Sequence, residues 1–431
     1  MSIFNGSGLV AALEDESGQQ AELAINTAGA DSMEADLVEA VDLAGDIDSG
    51  TREIESTMKD ADQLERHVEV LGATEGEGGA SEEVVQATEI AVESIYARLG
   101  IHSGTGIPAL ESFSTKHGRA KSTKEAMEAI GENIKKIWEA VKMAFQKLVN
   151  YVKDFFGKLF DANQKMLGRV NALRAKVRDA KGSSSGKVKA SGIMGVLANE
   201  SLKDARKGAG VGTIAGAAKT LSGETLDIQS AIKGVESNAA FKAFSLTPSG
   251  KGAAKAQAPD GMQWTAIYTV GTSTVAILEP KAAKKGEEAY KAAAKASAKV
   301  IKAEAKGDGE LAALDAASMN AILDGVESAV KELIGQKATL AAAQGSLEKA
   351  VAEINKLASG GSKDDKEMGN RSTVARSAVT ALGNAAIKGL TLMGSESTRV
   401  CQAYLTYVER SVGTFSEGKK DKKDDAEGNK E

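Results

Sequence analysis

Residues 124–160 read KEAMEAIGENIKKIWEAVKMAFQKLVNYVKDFFGKLF, and this stretch decides the fold class. Its apolar residues recur at alternating steps of three and four: Met127, Ile130, Ile134, Ile137, Val141, Ala144, Leu148, Tyr151 or Val152, Phe155 and Leu159. Such a stripe is typical of a long amphipathic helix. Additional apolar positions widen the stripe to the breadth of a face that packs into a core. The pattern predicts a helix from Lys124 to about Lys181. Ser122 or Thr123, just before its first turn, is the expected N-cap.

The rest of the chain is predicted to be mainly α, with long amphipathic helices and one small mixed region that contains a β-hairpin. Alanine, lysine and glutamate are abundant and prolines number only 4, which favours helices. Around Gly271-Thr272, β-branched and aromatic residues stand on both sides, as in a hairpin. Six segments are expected: an acidic helical segment at 1–111, a basic amphipathic helix at 112–181, a mixed region at 182–290 with the hairpin near 263–279, a helical segment at 291–358, a linker and C-terminal helix at 359–416, and a disordered charged tail at 417–431.

Charge is distributed very unevenly along the chain. The net charge of −6 hides a segment, residues 1–111, with 24 acidic and 4 basic residues and a net charge of −20. Residues 112–431 carry 50 basic and 36 acidic residues, a net charge of +14. The sign changes abruptly, which indicates that the acidic segment and the basic remainder have different partners.

Cysteine content and hydropathy limit the class of protein. The single cysteine, Cys401, excludes an internal disulfide framework. Residues 1–10 lack the basic and apolar regions of a secretory signal, and no run of about eighteen apolar residues predicts a membrane span. The sequence therefore predicts a soluble protein.

Residues that could carry catalysis are few. The histidines are His67, His102 and His117, and a serine or cysteine nucleophile would need one of them as its base. Cys401 is predicted to be a small buried apolar residue of the C-terminal helix. We therefore predict that the chain is not an enzyme and needs no cofactor and no small-molecule substrate. An enzyme that the N-terminal segment keeps inactive, with His117 or Cys401 in its site, is the alternative.

Two partial ligand-binding motifs fail on spacing. The run KGAGVGTIAGAAKT at 207–220 has Ala218 and Thr213 where a phosphate-binding loop needs glycines. A calcium loop that started at Asp46 would need a glycine and a glutamate at the positions of Thr51 and Thr57. Neither a phosphate loop nor a metal site is predicted.

The helix at 124–160 allows three functions. It can pack as a core helix of a bundle, lie on a membrane surface, or neutralise nucleic-acid phosphates without sequence specificity. The first function is compatible with either of the others, and composition does not separate those two. The residues that would form the membrane or DNA contact face are Lys135, Lys136, Trp138, Lys142, Phe145, Lys147, Lys153, Phe155 and Lys158.

A protease site is predicted at the boundary between the two charge regions. The stretch IPALESFST at 107–115 contains Ala109-Leu110-Glu111 followed by Ser112, a small–x–Glu sequence that resembles the sites cut by prohead proteases of large tailed phages. Similar tripeptides end at Glu82 and Glu93 and elsewhere, so position rather than sequence singles out Glu111. The glycines and proline just before it indicate a loop that a protease can reach.

Three further stretches extend this resemblance over most of the chain. AKSTKEAMEAIGENIKKIWEAVKMAFQKLVNYVKDFFGKLFDANQK at 120–165, TAIYTVGTSTVAILEP at 265–280 and CQAYLTYVERSV at 401–412 resemble the internal head proteins of giant, phiKZ-like tailed bacteriophages. The resemblance rests on pattern and layout more than on rare motifs.

The resemblance implies a structural protein of the virion that has no activity of its own. Residues 1–111 would be a propeptide, cut off by the prohead protease during maturation, and the remainder would lie in the capsid interior beside the genome. The implied partners are the prohead protease, capsid or core proteins, and packaged DNA bound without specificity, after assembly in the host cytoplasm. Ejection with the DNA stays open. The alternative from another class is a membrane-active secreted or injected protein, kept inactive by its acidic segment.

Overall fold

A computed structural model describes residues 27–101, 106–180, 184, 186–197, 228–249, 252–303, 309–338, 345, 349, 352 and 366–415. The predicted tail at 417–431, the linker at 359–365 and the glycine-rich run at 207–220 lie outside the described residues. Helices in the described part are α1 (Thr27–Ala73), α2 (Glu82–Arg98), α3 (Lys116–Asp179), α4 (Ile228–Lys233), α5 (Asn238–Ala243), α6 (Gly286–Ala293), α7 (Ala316–Gly335) and α8 (Lys366–Val412). The strands there are β1 (Lys187–Lys189), β2 (Ser245–Leu246), β3 (Met262–Val270), β4 (Ser273–Pro280), β5 (Lys284–Lys285), β6 (Ala298–Lys302) and β7 (Glu310–Ala312).

The protein is mainly α, which confirms the predicted fold class, and α3 is the axis of its core. The apolar stripe of α3 is buried at Ile130, Ile134, Ile137, Val141, Leu148, Val152, Phe155 and Leu159. A repeat of seven brings these side chains to one side of the helix, where two further long helices cover them.

Helix α1 lies antiparallel along α3. Glu39 pairs with Lys158 near one end of the contact, and Gly72 faces Met127 near the other. In α1 the buried residues Ala40, Ile47, Ile54 and Ala61 recur every seventh position, so a single face of α1 meets α3. Helix α1 of the acidic segment is therefore folded back on the basic helix.

Helix α8 lies parallel to α3 on a neighbouring side. Thr398 donates a hydrogen bond to Asn163, and Gly394 lies so close to α3 that an added Cβ would stand 2.6 Å from Leu159 Cδ2. Further along α3, Arg174 pairs with Asp324 and Glu327 of α7. Helices α1, α7 and α8 thus surround α3, while α2 packs against α1 through Arg98 and Asp60.

Several predicted helix boundaries are wrong. Helix α3 begins at Lys116, because Thr115 is its N-cap and accepts a hydrogen bond from the Gly118 amide, while Ser122 and Thr123 are buried within the helix. The Thr123 hydroxyl instead accepts a hydrogen bond from the Ala80 amide at 2.9 Å. Helix α1 continues through Gly45 and Gly50, because packing on α3 keeps it helical there.

The predicted hairpin is present. Strands β3 and β4 pair antiparallel around Gly271, which has a positive φ of 54° that glycine adopts without strain. The helical segment predicted at 291–358 contains helix α7, but it also contains two strands that were not predicted, because β6 pairs with β4 as the third strand of this sheet and β7 pairs with β1. Strand pairing there overrides the helix propensity of the sequence AKVIK.

Candidate functional site

The predicted processing site lies between α2 and α3 and is exposed but folded. Ala109, Glu111 and Ser112 are exposed, Leu110 is half-buried, and the next residue, Phe113, is fully buried. Residues Leu110–Phe113 form a 3-10 turn, in which the Ser112 amide donates to the Ala109 carbonyl at 2.9 Å. A protease that cuts after Glu111 must first open this turn, because proteases act on locally unfolded chain.

This turn rests on the first turns of α3. An added Cβ at Gly118 would stand 2.5 Å from the Ser112 carbonyl oxygen, so glycine permits the close approach of the turn to the helix. The Ser114 hydroxyl donates to the Glu111 carbonyl at 2.8 Å. These hydrogen bonds are local, whereas the fully buried Phe113 fixes the turn in the hydrophobic core.

The lysines and aromatic residues of the predicted contact face are separated by the fold. Trp138, Phe145 and Phe155 are buried in the core, with exposed fractions of 6%, 2% and 0%. Lys142 and Lys158 are half-buried, and the exposed lysines are Lys135, Lys136, Lys147 and Lys153. The prediction that aromatic and basic side chains share one surface is therefore wrong for the folded chain, because the aromatic rings fill the space between α3 and its neighbours. Of the residues of the predicted contact face, the lysines reach the surface and the aromatic residues do not.

A buried polar cluster that the sequence did not reveal joins α1, α3 and α8. The Arg376 guanidinium donates to both carboxylate oxygens of Glu65, at 2.8 and 2.6 Å. It also lies over the Trp138 ring, 4.3 Å from the ring centroid, and the indole N–H donates to the same carboxylate at 3.1 Å. The Arg376 side chain is only 5% exposed, so this ion pair is largely shielded from water. The signal for this cluster in the sequence was Arg376, a charged residue among the mostly small residues of this part of α8.

Asp62 lies one helical turn from Glu65 and faces α8. The Ser377 hydroxyl donates to one Asp62 carboxylate oxygen at 2.9 Å. The pKa of Asp62 is raised to about 6, chiefly by burial and also by the nearby Glu65 carboxylate, while the hydrogen bond from Ser377 opposes the increase. Ionised Asp62 is therefore held in an unfavourable environment at neutral pH.

Of the candidate catalytic residues, the structure describes the side chains of Cys401 and His67. Cys401 is completely buried, and burial raises the pKa of its thiol to about 12, so the nucleophilic thiolate is strongly disfavoured. Burial lowers the pKa of His67, which lies on α1. The side chains of His102 and His117 lie outside the described residues.

Neither a metal cluster nor a membrane-spanning helix is present among the described residues. No group of three or more histidine, cysteine, aspartate or glutamate side chains there is placed to hold a metal ion. Within the same ranges, no helix has the length and apolar character that crossing a membrane requires.

The sequence was compared with known protein families, curated proteins and solved structures. Neither the curated proteins nor the solved structures gave a match. The family model of phiKZ-like phage internal head proteins matches residues 31–410. This match begins in α1, crosses the junction at Glu111 and ends in α8, so it includes the whole helical core. The chain therefore belongs to the family of phiKZ-like phage internal head proteins, which lie in the capsid interior.

Proposed function

We propose that the protein is made in the host cytoplasm as a precursor, is cut after Glu111 by the prohead protease during capsid maturation, and is packaged beside the genome. Its partners in the particle are capsid or core proteins and the packaged DNA. The role is structural, and the contact with DNA is electrostatic and independent of sequence.

The position of the junction carries the proposal. The exposed turn at Leu110–Phe113 lies where the net charge of −20 in residues 1–111 gives way to +14 in residues 112–431. A cut there divides the chain into one strongly acidic and one basic part. No other small–x–Glu sequence considered above coincides with this boundary.

The arrangement of charges supports a masking role for the acidic segment. Lys158 of α3 pairs with Glu39 of α1 at 2.7 Å. The pKa of Lys147 is raised by its hydrogen bond and charge interaction with Tyr151, and also by Glu53 and Asp46 of α1. The carboxylates of α1 therefore lower the positive potential of the basic helix, and they would weaken its attraction to phosphate until the segment is gone.

Peptide mapping of protein from native particles tests the cut. Mass spectrometry should find a peptide that begins at Ser112 and no peptide that spans the bond between Glu111 and Ser112. A phage that carries Glu111→Gln should lose this new N-terminus, whereas the matched variant Glu93→Gln should keep it. Recovery of the chain with Met1 still attached from mature particles would sink the processing step.

Salt-dependent DNA binding tests the second step. Protein extracted from particles and freed of the acidic segment should bind double-stranded DNA more tightly than the uncut chain, and the logarithm of its affinity should fall linearly with the logarithm of salt concentration. Glutamate in place of Lys135, Lys136, Lys147 and Lys153 should reduce both the affinity and the slope. Equal binding by the uncut chain would contradict masking.

A further inference from the structure

We infer that the groove between α3 and α8 is a binding surface for the acidic segment as a separate chain, so that residues 27–101 stay bound to the body after a cut at Glu111. The inference rests on the cut proposed above. It makes cleavage and release of the acidic segment two separate events.

The apolar contact between α1 and α3 is long and independent of the junction. It reaches from Glu39, beside Lys158, to Gly72, beside Met127, which at the rise of an α-helix is about 50 Å. The α1 side chains buried along it include Ala40, Ile47, Ile54, Met58, Ala61, Leu64 and Leu71, each no more than 4% exposed. Burial of apolar surface on this scale does not depend on whether the loop between the helices is intact.

Charged and polar contacts fix the register of the segment on the groove. Glu65 of α1 binds Arg376 of α8 and Trp138 of α3 at the same time. Loss of the segment would expose this ring and remove the carboxylate from a guanidinium that is nearly buried, which is unfavourable. The groove and the segment are therefore complementary in charge as well as in shape.

The cut removes few of the contacts that hold the segment. Helix α2 is tied to α1 by Arg98 and Asp60 at 2.6 Å, and the start of α2 is tied to α3 by the hydrogen bond from Ala80 to Thr123. The alternative cuts after Glu82 and Glu93 fall in or at the edge of α2, so they leave α1 whole. The match to the family also begins inside α1, on the acidic side of the junction.

The full chain can be cut at a defined bond to test this inference. A recognition sequence for a site-specific protease is placed at the bond between Glu111 and Ser112, and complete cutting is verified on a denaturing gel. Native mass spectrometry and gel filtration should then show one species with the mass of both pieces, which separates only in denaturant. Separation of the two pieces in native buffer at micromolar protein would overturn the inference.

Matched variants show which contacts hold the segment. After cutting, Leu64→Asp in the fully buried stripe of α1 should release the segment, whereas Val70→Asp, at a position that is 50% exposed, should retain it. If Leu64→Asp prevents folding of the uncut chain, Glu65→Gln takes its place and should raise the dissociation constant of the pieces at least about tenfold. Equal retention by Glu65→Gln and the unaltered chain would remove the role assigned to Glu65 and overturn this part of the inference.

The two proposals fail in different ways. Uncut chain in native particles would refute cleavage and leave the retention measured at the introduced site unaffected. Release of the segment upon cutting in vitro would refute retention and leave cleavage in the particle unaffected.

Discussion

Helices α1 and α8 are the same length, 47 residues each, and both lie along α3, yet they are surrounded very differently. In α1, buried residues recur every seventh position, and several acidic residues between them, among them Asp42, Asp46 and Glu53, are exposed to solvent. In α8, every residue from 381 to 387 is buried, so two full turns have no solvent-facing side. Helix α1 is a peripheral helix with a solvent side, whereas α8 is internal.

The difference indicates that α1, and not α8, can separate from the rest of the helical core. Small residues let neighbouring elements approach α8 closely from several directions, and the close approach of α3 to Gly394 is one example. Helix α1 presents its apolar stripe and a few carboxylates to the body and most of its other charges to water, as a separable binding partner does. The sequence position of the junction at Glu111, between α1 and the body, agrees with this division.

The largest effect is expected where the two helices meet. Arg376→Ala should lower the free energy of unfolding by about 3–5 kcal/mol, because it leaves the Glu65 carboxylate without its main partner in a shielded site. Lys158→Ala, which removes a more exposed pair with Glu39, should cost less than about 1 kcal/mol. Urea unfolding measures both. Equal losses would mean that the Arg376 pair stabilises no more than a surface pair does.

Overpacking should separate the internal helix from the peripheral one. Gly394→Val should cost about 2–3 kcal/mol, because its side chain would collide with the buried Leu159. The same change at Gly45 of α1, where nothing lies within 4 Å of an added Cβ, should be nearly neutral. Thermal unfolding compares the two variants. A matching loss at Gly45 would contradict the peripheral position of α1.

A smaller, pH-dependent effect is expected at Asp62. Because its pKa is raised from 3.8 to about 6, the folded state binds its proton more tightly than the unfolded state, and the stability contributed by this group is lost as pH rises from about 4 to 6. Asp62→Asn should therefore stabilise the protein at pH 7 by about 1–2 kcal/mol and have little effect at pH 4. Unfolding curves at the two pH values test this. A gain of equal size at both values would rule out titration of Asp62 as the cause.

The smallest effect is expected on the solvent side of α1. Gly45→Ala should raise the free energy of unfolding by about 0.5–1 kcal/mol, because alanine loses less backbone entropy in a helix and Gly45 is exposed. Denaturant unfolding of the variant measures the gain. Destabilisation would show that α1 has a neighbour on this side.

The sequence was sufficient to predict α3, because its apolar stripe recurs over many turns and only one periodicity fits it. The hairpin was also predictable, since β-branched residues flank Gly271. The start of α3 was misplaced because Thr115 and Ser122 are equally plausible caps by residue type. Strand β6 was missed because its alanine and lysines favour helix until β4 offers a pairing edge.

The cluster around Glu65 could not be predicted in the same way. Glu65 and Arg376 are 311 positions apart in the sequence. The hydrophobic effect is not directional, so the apolar stripe of a helix does not specify which other helix will cover it. The buried position of Trp138 follows from the same pairing, which is why a surface role for its ring was a reasonable prediction from α3 alone. Partner choice depends on the whole chain, whereas the periodicity of a helix is local.

The parallel course of α3 and α8 has a consequence for synthesis on the ribosome. Thr398 of α8 bonds to Asn163 of α3, which is synthesised 235 positions earlier, whereas α1 and α3 are close together in the sequence. We expect α1 and α3 to pair while translation continues. The face of α3 that contains Leu159 stays exposed to solvent until α8 has left the ribosome. Helix α8 is thus the final piece of the core, and a nascent chain that stops short of it leaves an apolar face open to aggregation.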